Sequence, residues 1–170
     1  MRGGLAAIGV LIIAVLSGCA TDYVPKLDTH PMDPIIEFVG PGSLSLINNQ
    51  PTTEKVEVFK NLVFVDYQKW TSAAIQIIER ECKQRHITID PNARKTLKIA
   101  VKEVQFVLGW VQVQSHVVMH VETSSGYSKE FIGRNHAIMA ANRHTLLDGA
   151  MMRVVAAMLN DPEIIRYLTH

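Results

Sequence analysis

WVQVQSHVVMHVET, residues 110–123, has the clearest periodicity in the chain. Its apolar positions are Val111, Val113, Val117, Met119 and Val121, and its polar positions are Gln112, Gln114, His116, His120 and Glu122. Successive side chains of a strand point to opposite faces, so a period of two indicates one face in a core and the other toward water. The stretch therefore predicts the middle strand of an antiparallel sheet.

The segments on either side predict two partner strands. KTLKIAVKEVQFVLG, residues 95–109, alternates through Val101 and then resumes in the other phase, which predicts a β-bulge near Lys102 or Glu103. Ser124-Ser125-Gly126 predicts a turn, and YSKEFIGRNHA, residues 127–137, predicts the returning strand. Together the three strands form a meander.

Helical spacing appears before and after the meander. Asp66 can cap a helix that runs to about Arg85, and a second long helix follows Asn142. Asp161-Pro162-Glu163 predicts the start of a short last helix. The apolar stripes are Trp70, Ala73, Ala74, Ile77, Ile78 and Cys82 in the first helix, and Leu146, Leu147, Ala150, Met151, Val154, Val155 and Met158 in the second.

KVEVFKNLVFVDY, residues 55–67, predicts one strand ahead of the first helix, irregular near Asn61. The order β-α-β-β-β-α then predicts an α+β fold for a single domain over residues 54–170. We expect a two-layer sandwich in which an antiparallel or mixed sheet carries both long helices on one face. The other face is polar enough to meet water.

The N-terminus predicts a lipoprotein signal peptide over residues 1–18. Arg2 precedes an uncharged apolar segment that is too short to cross a bilayer, which takes about 20 residues. Leu16-Ser17-Gly18-Cys19 resembles the bacterial lipoprotein processing signal, which implies that Cys19 becomes the lipidated first residue. Because Ala20 stands where an Asp would favour the inner membrane of a Gram-negative cell, we expect attachment to the outer membrane, facing the periplasm.

Residues 19–53 are expected to form the lipidated N-terminus and a proline-rich tether. Five of the seven prolines fall here, and proline disfavours a helix. PIIEFV and SLSLI, residues 34–39 and 43–47, are candidates for short strands of the domain. A flexible tether of roughly 25 residues would reach about 25 to 30 Å, so the domain could stand clear of the lipid.

Composition, residue spacing and the lack of known motifs argue against several classes of function. Removal of the leader takes away Arg2 and leaves equal numbers of acidic and basic side chains, which argues against a nucleic-acid partner. His116 and His120 would lie about 13 Å apart on a strand, too far to share a metal ion. The sequence contains no recognisable nucleophile motif or glycine-rich phosphate loop. We therefore expect no enzyme activity, no cofactor and no metal, and a buried, unreactive Cys82.

Candidate interaction residues occur in two places. Arg134, His136, Arg143 and His144 are close in sequence around the junction of the third strand and the second long helix. They could line an anion or partner site near the helix N-terminus, or be ordinary exposed loop residues. Trp110 could be exposed at a sheet end for binding, although packing in the core or at the sheet edge is favoured.

The chain resembles the YajG-like family of bacterial lipoproteins, and more loosely the lipopolysaccharide-assembly lipoprotein LptE. YQKWTSAAIQII, TLKIAVKEVQ and DGAMMRVVAAMLNDPEIIRYL carry the resemblance, together with the processing signal. The family brings no catalytic residues to carry over.

Three hypotheses of function follow. The first is a non-enzymatic accessory or interaction subunit of a cell-envelope assembly, with an envelope protein as partner and the membrane held through lipid on Cys19. The second is a transport component that binds a lipid or glycan between the helices and the sheet. The third is a hydrolase that uses residues near His136 and His144.

Overall fold

The computed structural model of the protein describes residues 21–26, 31–51, 53, 55–59, 63–110, 112–138 and 143–170. The expected signal peptide and Cys19 lie outside these residues. Within the described ranges, no helix has both the length and the apolar character needed to span a bilayer.

Eight strands and three helices make up the described chain. In order they are β1 (Thr21–Tyr23), β2 (Ser43–Asn48), β3 (Lys55–Phe59), β4 (Val63–Asp66), α1 (Tyr67–Gln84), β5 (Thr88–Ile89), β6 (Lys95–Leu108), β7 (Gln112–Thr123), β8 (Ser128–Ile138), α2 (Arg143–Leu159) and α3 (Pro162–Thr169).

The larger sheet has five strands in the order β5-β2-β6-β7-β8. Its β6-β7-β8 part is the predicted antiparallel meander. The register shifts between Val101 and Glu103, which confirms the predicted bulge at Lys102. Strand β2 pairs in parallel with β6, and Leu46 lies opposite Leu97, so the sheet is mixed.

Both long helices cover one face of this sheet. The Asp66 carboxylate accepts hydrogen bonds from the amides of Gln68 and Lys69, at 2.9 and 3.3 Å, and so caps α1 as predicted. Helix α2 lies against β8 at Gly133, where a Cβ atom would stand 2.1 Å from the carbonyl oxygen of Ala150. Only glycine permits this approach. The predicted two-layer α+β architecture is confirmed.

A second, three-stranded sheet has the order β1-β4-β3 and was not predicted. Lys55 lies opposite Asp66, and Val56 lies opposite Val65, so β3 and β4 are antiparallel and the chain reverses between them. The prediction of one strand over residues 55–67 was therefore wrong. Two short paired strands satisfy each other's backbone groups and bury Val63 and Val65, which a single strand beside the core could not do.

The expected tether over residues 19–53 also needs correction, because the described residues in it belong to the domain. Strand β1 pairs in parallel with β4, and β2 is an interior strand of the larger sheet in which Leu44 is 1% exposed. Residues 34–39 form no strand. They are nevertheless held in place, since Asn160 accepts from the amide of Ile36 at 2.7 Å and donates to the carbonyl of Pro34 at 2.9 Å.

The described part of the domain therefore includes strands before residue 54, from Thr21 onward. The prolines lie between the paired segments, where they deprive no ladder of a donor. Proline content disfavours helices, but it does not prevent short strands from pairing with partners that are distant in sequence.

The core lies between the larger sheet and the helices. Trp70, Ile78, Leu97, Met119 and Met151 are among its largest fully buried side chains. Cys82 is buried in the same core as predicted, and this burial raises the pKa of its thiol to about 12. The thiol is therefore a small apolar group at neutral pH.

Asp161 connects α3 to the edge strand β8. Its carboxylate caps α3 by accepting from the amides of Glu163 and Ile164, at 3.0 and 3.2 Å, and it accepts from the ammonium group of Lys129 at 2.7 Å. Burial acts to raise the pKa of this carboxyl, but the hydrogen bonds from Lys129 and the Ile164 amide outweigh it. The net result is a pKa below the usual 3.8.

We predict that Asp161→Ala lowers the free energy of unfolding by about 1 kcal/mol or more at pH 7, through loss of the cap. Asp161→Asn keeps the cap but removes the charge. Because the folded-state pKa is lowered, the charge stabilises the fold above pH 3.8 and ceases to do so as the pH falls through the lowered value. Urea unfolding should give wild type a higher free energy of unfolding than Asp161→Asn at pH 7, and this difference should disappear in acid. A difference that does not change with pH would contradict the prediction.

Candidate functional site

Arg134 and His136 lie on the open face, the side of the larger sheet that faces away from α1 and α2 and also carries His116 and His120. In the β7-β8 register His116 lies opposite Arg134, and Gln114 lies opposite His136. These four side chains line a shallow depression of about 270 Å³. It is a surface of cationic, imidazole and amide groups suited to polar contacts with a partner.

Exposed apolar side chains lie on the same face. Ile132, two residues before Arg134 on β8, is 49% exposed, and Val118 on β7 lies opposite Ile132. The imidazole of His116 is 3.6 Å from the Glu103 carboxylate on β6. The open face thus mixes apolar, cationic, carboxylate and imidazole groups. Of these, arginine is enriched at protein interfaces.

The histidines of β7 are on the open face, as their alternation predicts. His116 contacts Glu103, whereas the imidazole of His120 is 3.3 Å from the hydroxyl of Ser128. Among the described residues, no three His, Cys, Asp or Glu side chains come close enough together to hold a metal ion.

His144 does not join Arg134 and His136. It lies in the first turn of α2, where its ring stacks on Tyr23 with centroids 4.2 Å apart and planes 5° apart. Arg143 is the first residue of α2, and its side chain lies outside the description. The structure therefore separates His144 from Arg134 and His136, and the place of Arg143 in a shared site stays a prediction. The chain passes from the exposed side of β8 to the helix layer, so neighbours in sequence end on opposite sides of the sheet.

Trp110 is fully exposed, at the tip of the β6-β7 hairpin. The tip is tight, since the amide of Gly109 donates to the carbonyl of Gln112 at 2.8 Å. Packing of Trp110 in the core or at the sheet edge, the favoured prediction, was therefore wrong, and the exposed alternative is the observed one. Trp110 lies two residues beyond Leu108, the last residue of β6 that pairs with β7.

Three further apolar side chains surround this tip. Val107 and Leu108 are about half exposed, at 49% and 48%, and Ile138 at the end of β8 is 72% exposed. Gln112 lies opposite Ile138, which places that residue beside the tip. We call Val107, Leu108, Trp110 and Ile138 the hairpin end.

A buried contact that sequence reasoning missed joins Tyr23 to Asp148. The phenol of Tyr23 donates to the Asp148 carboxylate, and the amide of Lys26 donates to the same oxygen at 3.0 Å. The indole of Trp70 donates to the carbonyl of Tyr23 at 2.8 Å. Burial, followed by the bond to Asp148, raises the pKa of Tyr23 far above its usual range, so the phenol stays protonated as a donor.

Two signals could have revealed this contact. Asp148 is a carboxylate adjacent to the apolar stripe of α2, and Tyr23 is an aromatic residue close behind the processing signal. Neither local pattern indicates which residue the side chain contacts, because Tyr23 and Asp148 are 125 positions apart. The contact fastens the start of the domain to both long helices.

We predict that Tyr23→Phe lowers the free energy of unfolding by about 1.5 to 3 kcal/mol, the usual contribution of a hydrogen bond to a charged group. Chemical denaturation measures the loss. The control is a double-mutant cycle with Asp148→Ala, which should show coupling of about 1 kcal/mol or more between the two positions. Additive losses would mean that Tyr23 contributes only through packing.

No protein-family model matches the chain, and no curated protein shows significant similarity to it. Among solved structures, the chain is similar to protein XCC0632 from Xanthomonas campestris, of family DUF330. The two share 13% identity over 86% of this chain and 93% of that one, with a TM-score of 0.47. The resemblance to the YajG-like and LptE lipoproteins stays a prediction.

Proposed function

We propose that the protein is a lipoprotein of the outer membrane, anchored through lipid on Cys19 at the periplasmic face, and that it serves as a non-enzymatic accessory or interaction subunit of a cell-envelope assembly. The observation that carries the proposal is the Leu16-Ser17-Gly18-Cys19 signal, which ends two residues before the first strand of the domain. A cleavage before Cys19 would release the whole described domain with its lipid attachment point directly ahead of it.

The open face supports the interaction role. It presents Arg134, His136 and Ile132 from one edge strand, β8, so a partner could contact side chains and sheet edge together. One edge carbonyl, that of Arg134, is already occupied, because the guanidinium of Arg153 donates to it at 2.7 Å. Such partial covering limits indiscriminate pairing along the edge and favours recognition through side chains.

A catalytic role has less support. The hydrolase hypothesis uses residues near His136 and His144, yet His136 is exposed on the open face and the ring of His144 stacks on Tyr23 in the helix layer. The lipid or glycan carrier also has less support than the accessory role. It requires room between the layers, where Val117, Met119 and Met151 are fully buried against neighbouring side chains.

The proposal predicts the intact mass of the membrane-extracted protein. Wild type should begin at Cys19 and carry diacylglyceryl and acyl groups, whereas Cys19→Ala should carry none. Crosslinking in cells before extraction should join wild type to an envelope protein. A wild type that is soluble and unlipidated would contradict the anchor, and lipid copurified with the delipidated domain would place the carrier alternative first.

A charge-reversal pair tests the open face in the same crosslinking experiment. Arg134→Glu should abolish the crosslinked band, because it reverses the charge in the centre of the proposed contact surface. Lys69→Glu makes the same change on the exposed side of α1 and should keep the band. Equal bands in both variants would exclude the open face as the contact surface.

A further inference from the structure

We propose that the hairpin end inserts into the headgroup region of the bilayer that holds the lipid anchor, so that the domain rests on the membrane at a fixed orientation. The inference rests on the proposed lipidation of Cys19. In this proposal the hairpin end contacts a lipid surface. The alternatives are that it contacts a second copy of the chain or another envelope protein.

The connection between the anchor and the domain is short. Only Ala20 separates Cys19 from Thr21, so the Cα atoms of Cys19 and Thr21 are at most about 7 Å apart. Thr21 is already paired with Val63, and Tyr23 is held by Asp148 and Trp70. Acyl chains on Cys19 would therefore bring the bilayer to the end of the domain at which β1 starts.

The hairpin end lies at this same end of the domain. Val63 is paired with Phe59, and the rings of Phe59 and Phe106 meet edge to face with centroids 5.2 Å apart. Phe106 is two residues before Leu108. Strand β1 thus starts beside the part of β6 that leads into the tip.

The direction of the chain agrees with this placement. Strand β4 runs from Val63 toward the start of α1, where the hydroxyl of Thr71 accepts from the amide of Val101 at 2.9 Å. The end of β4 next to α1 is therefore near Val101 of β6, and the Val63 end of β4 is nearer the tip of the β6-β7 hairpin. Strand β1 is parallel to β4, so the residues before Thr21 lead toward the tip as well.

The chemistry of the hairpin end suits a lipid surface. Trp110 is completely exposed with exposed aliphatic neighbours, an arrangement that water does not favour. Tryptophan is enriched at membrane interfaces, where its ring contacts acyl chains and its N–H remains hydrated. Residues 104–114 contain no charged side chain, so insertion of this segment would desolvate no carboxylate or ammonium group of its own.

The two tryptophans of the chain make a direct test available, because Trp70 is fully buried and Trp110 is fully exposed. The full lipidated protein is reconstituted into vesicles of phosphatidylethanolamine and phosphatidylglycerol, with and without bromine on the acyl chains near the glycerol. Trp110→Phe is the matched variant, which reports Trp70 alone. Bromine quenches only tryptophans that contact the lipid.

We expect wild type to lose most of the fluorescence that Trp110 contributes in brominated vesicles. In vesicles without bromine, its emission maximum should shift to the blue. Trp110→Phe should lose almost nothing, because Trp70 is shielded. The intact mass of each sample reports lipid on Cys19 independently.

Two results would overturn the inference. A lipidated protein whose Trp110 is not quenched leaves the anchor intact and rejects insertion; a blue shift without quenching in that protein assigns the hairpin end to a protein partner or a second copy. A mass without lipid rejects the proposed function itself, and with it the membrane orientation that depends on the anchor.

Discussion

The hydrogen bond from Tyr23 to Asp148 is the interaction on which the arrangement of the domain depends. It joins the first strand of the chain to the second long helix, and Trp70 adds the first long helix through the carbonyl of Tyr23. Strand β1 in turn supports β4, which leads directly into α1. The smaller sheet, both long helices and the start of the domain are thus fastened at one buried point.

This point also determines how the domain would sit on a membrane. A long proline-rich tether would let the domain move well away from the lipid, and any surface could then meet a partner. With Tyr23 buried and β1 paired, only Ala20 remains between a lipidated Cys19 and the first residue of β1. The hairpin end would then face the bilayer, and the open face, carrying Arg134 and His136, would be left free for a partner.

Local signals made much of the fold predictable. The alternation of β7, the change of phase that marks the bulge at Lys102 and the capping aspartates Asp66 and Asp161 each act within a few residues, and the structure has all of them. Strands β1 and β2 were missed or left open because their parallel partners are distant in sequence, and short runs among prolines have no period of their own.

The candidate site was less predictable for a related reason. Closeness in sequence suggested that Arg134, His136 and His144 cluster, but only tertiary structure shows that the chain changes sides of the sheet between them. Trp110 lies at a turn, where no periodicity tells burial from exposure. The Tyr23–Asp148 contact needed both ends of the chain at once.

Hydrogen exchange of residues 21–26 in the intact protein tests the central claim, that the chain is fastened to the domain directly behind Cys19. We predict strong protection of the hydrogen-bonded amides in this segment, since β1 is paired with β4 and the amide of Lys26 donates to Asp148, so they should exchange nearly as slowly as those of β7. Exchange at the rate of an unstructured peptide would contradict it and restore a free tether.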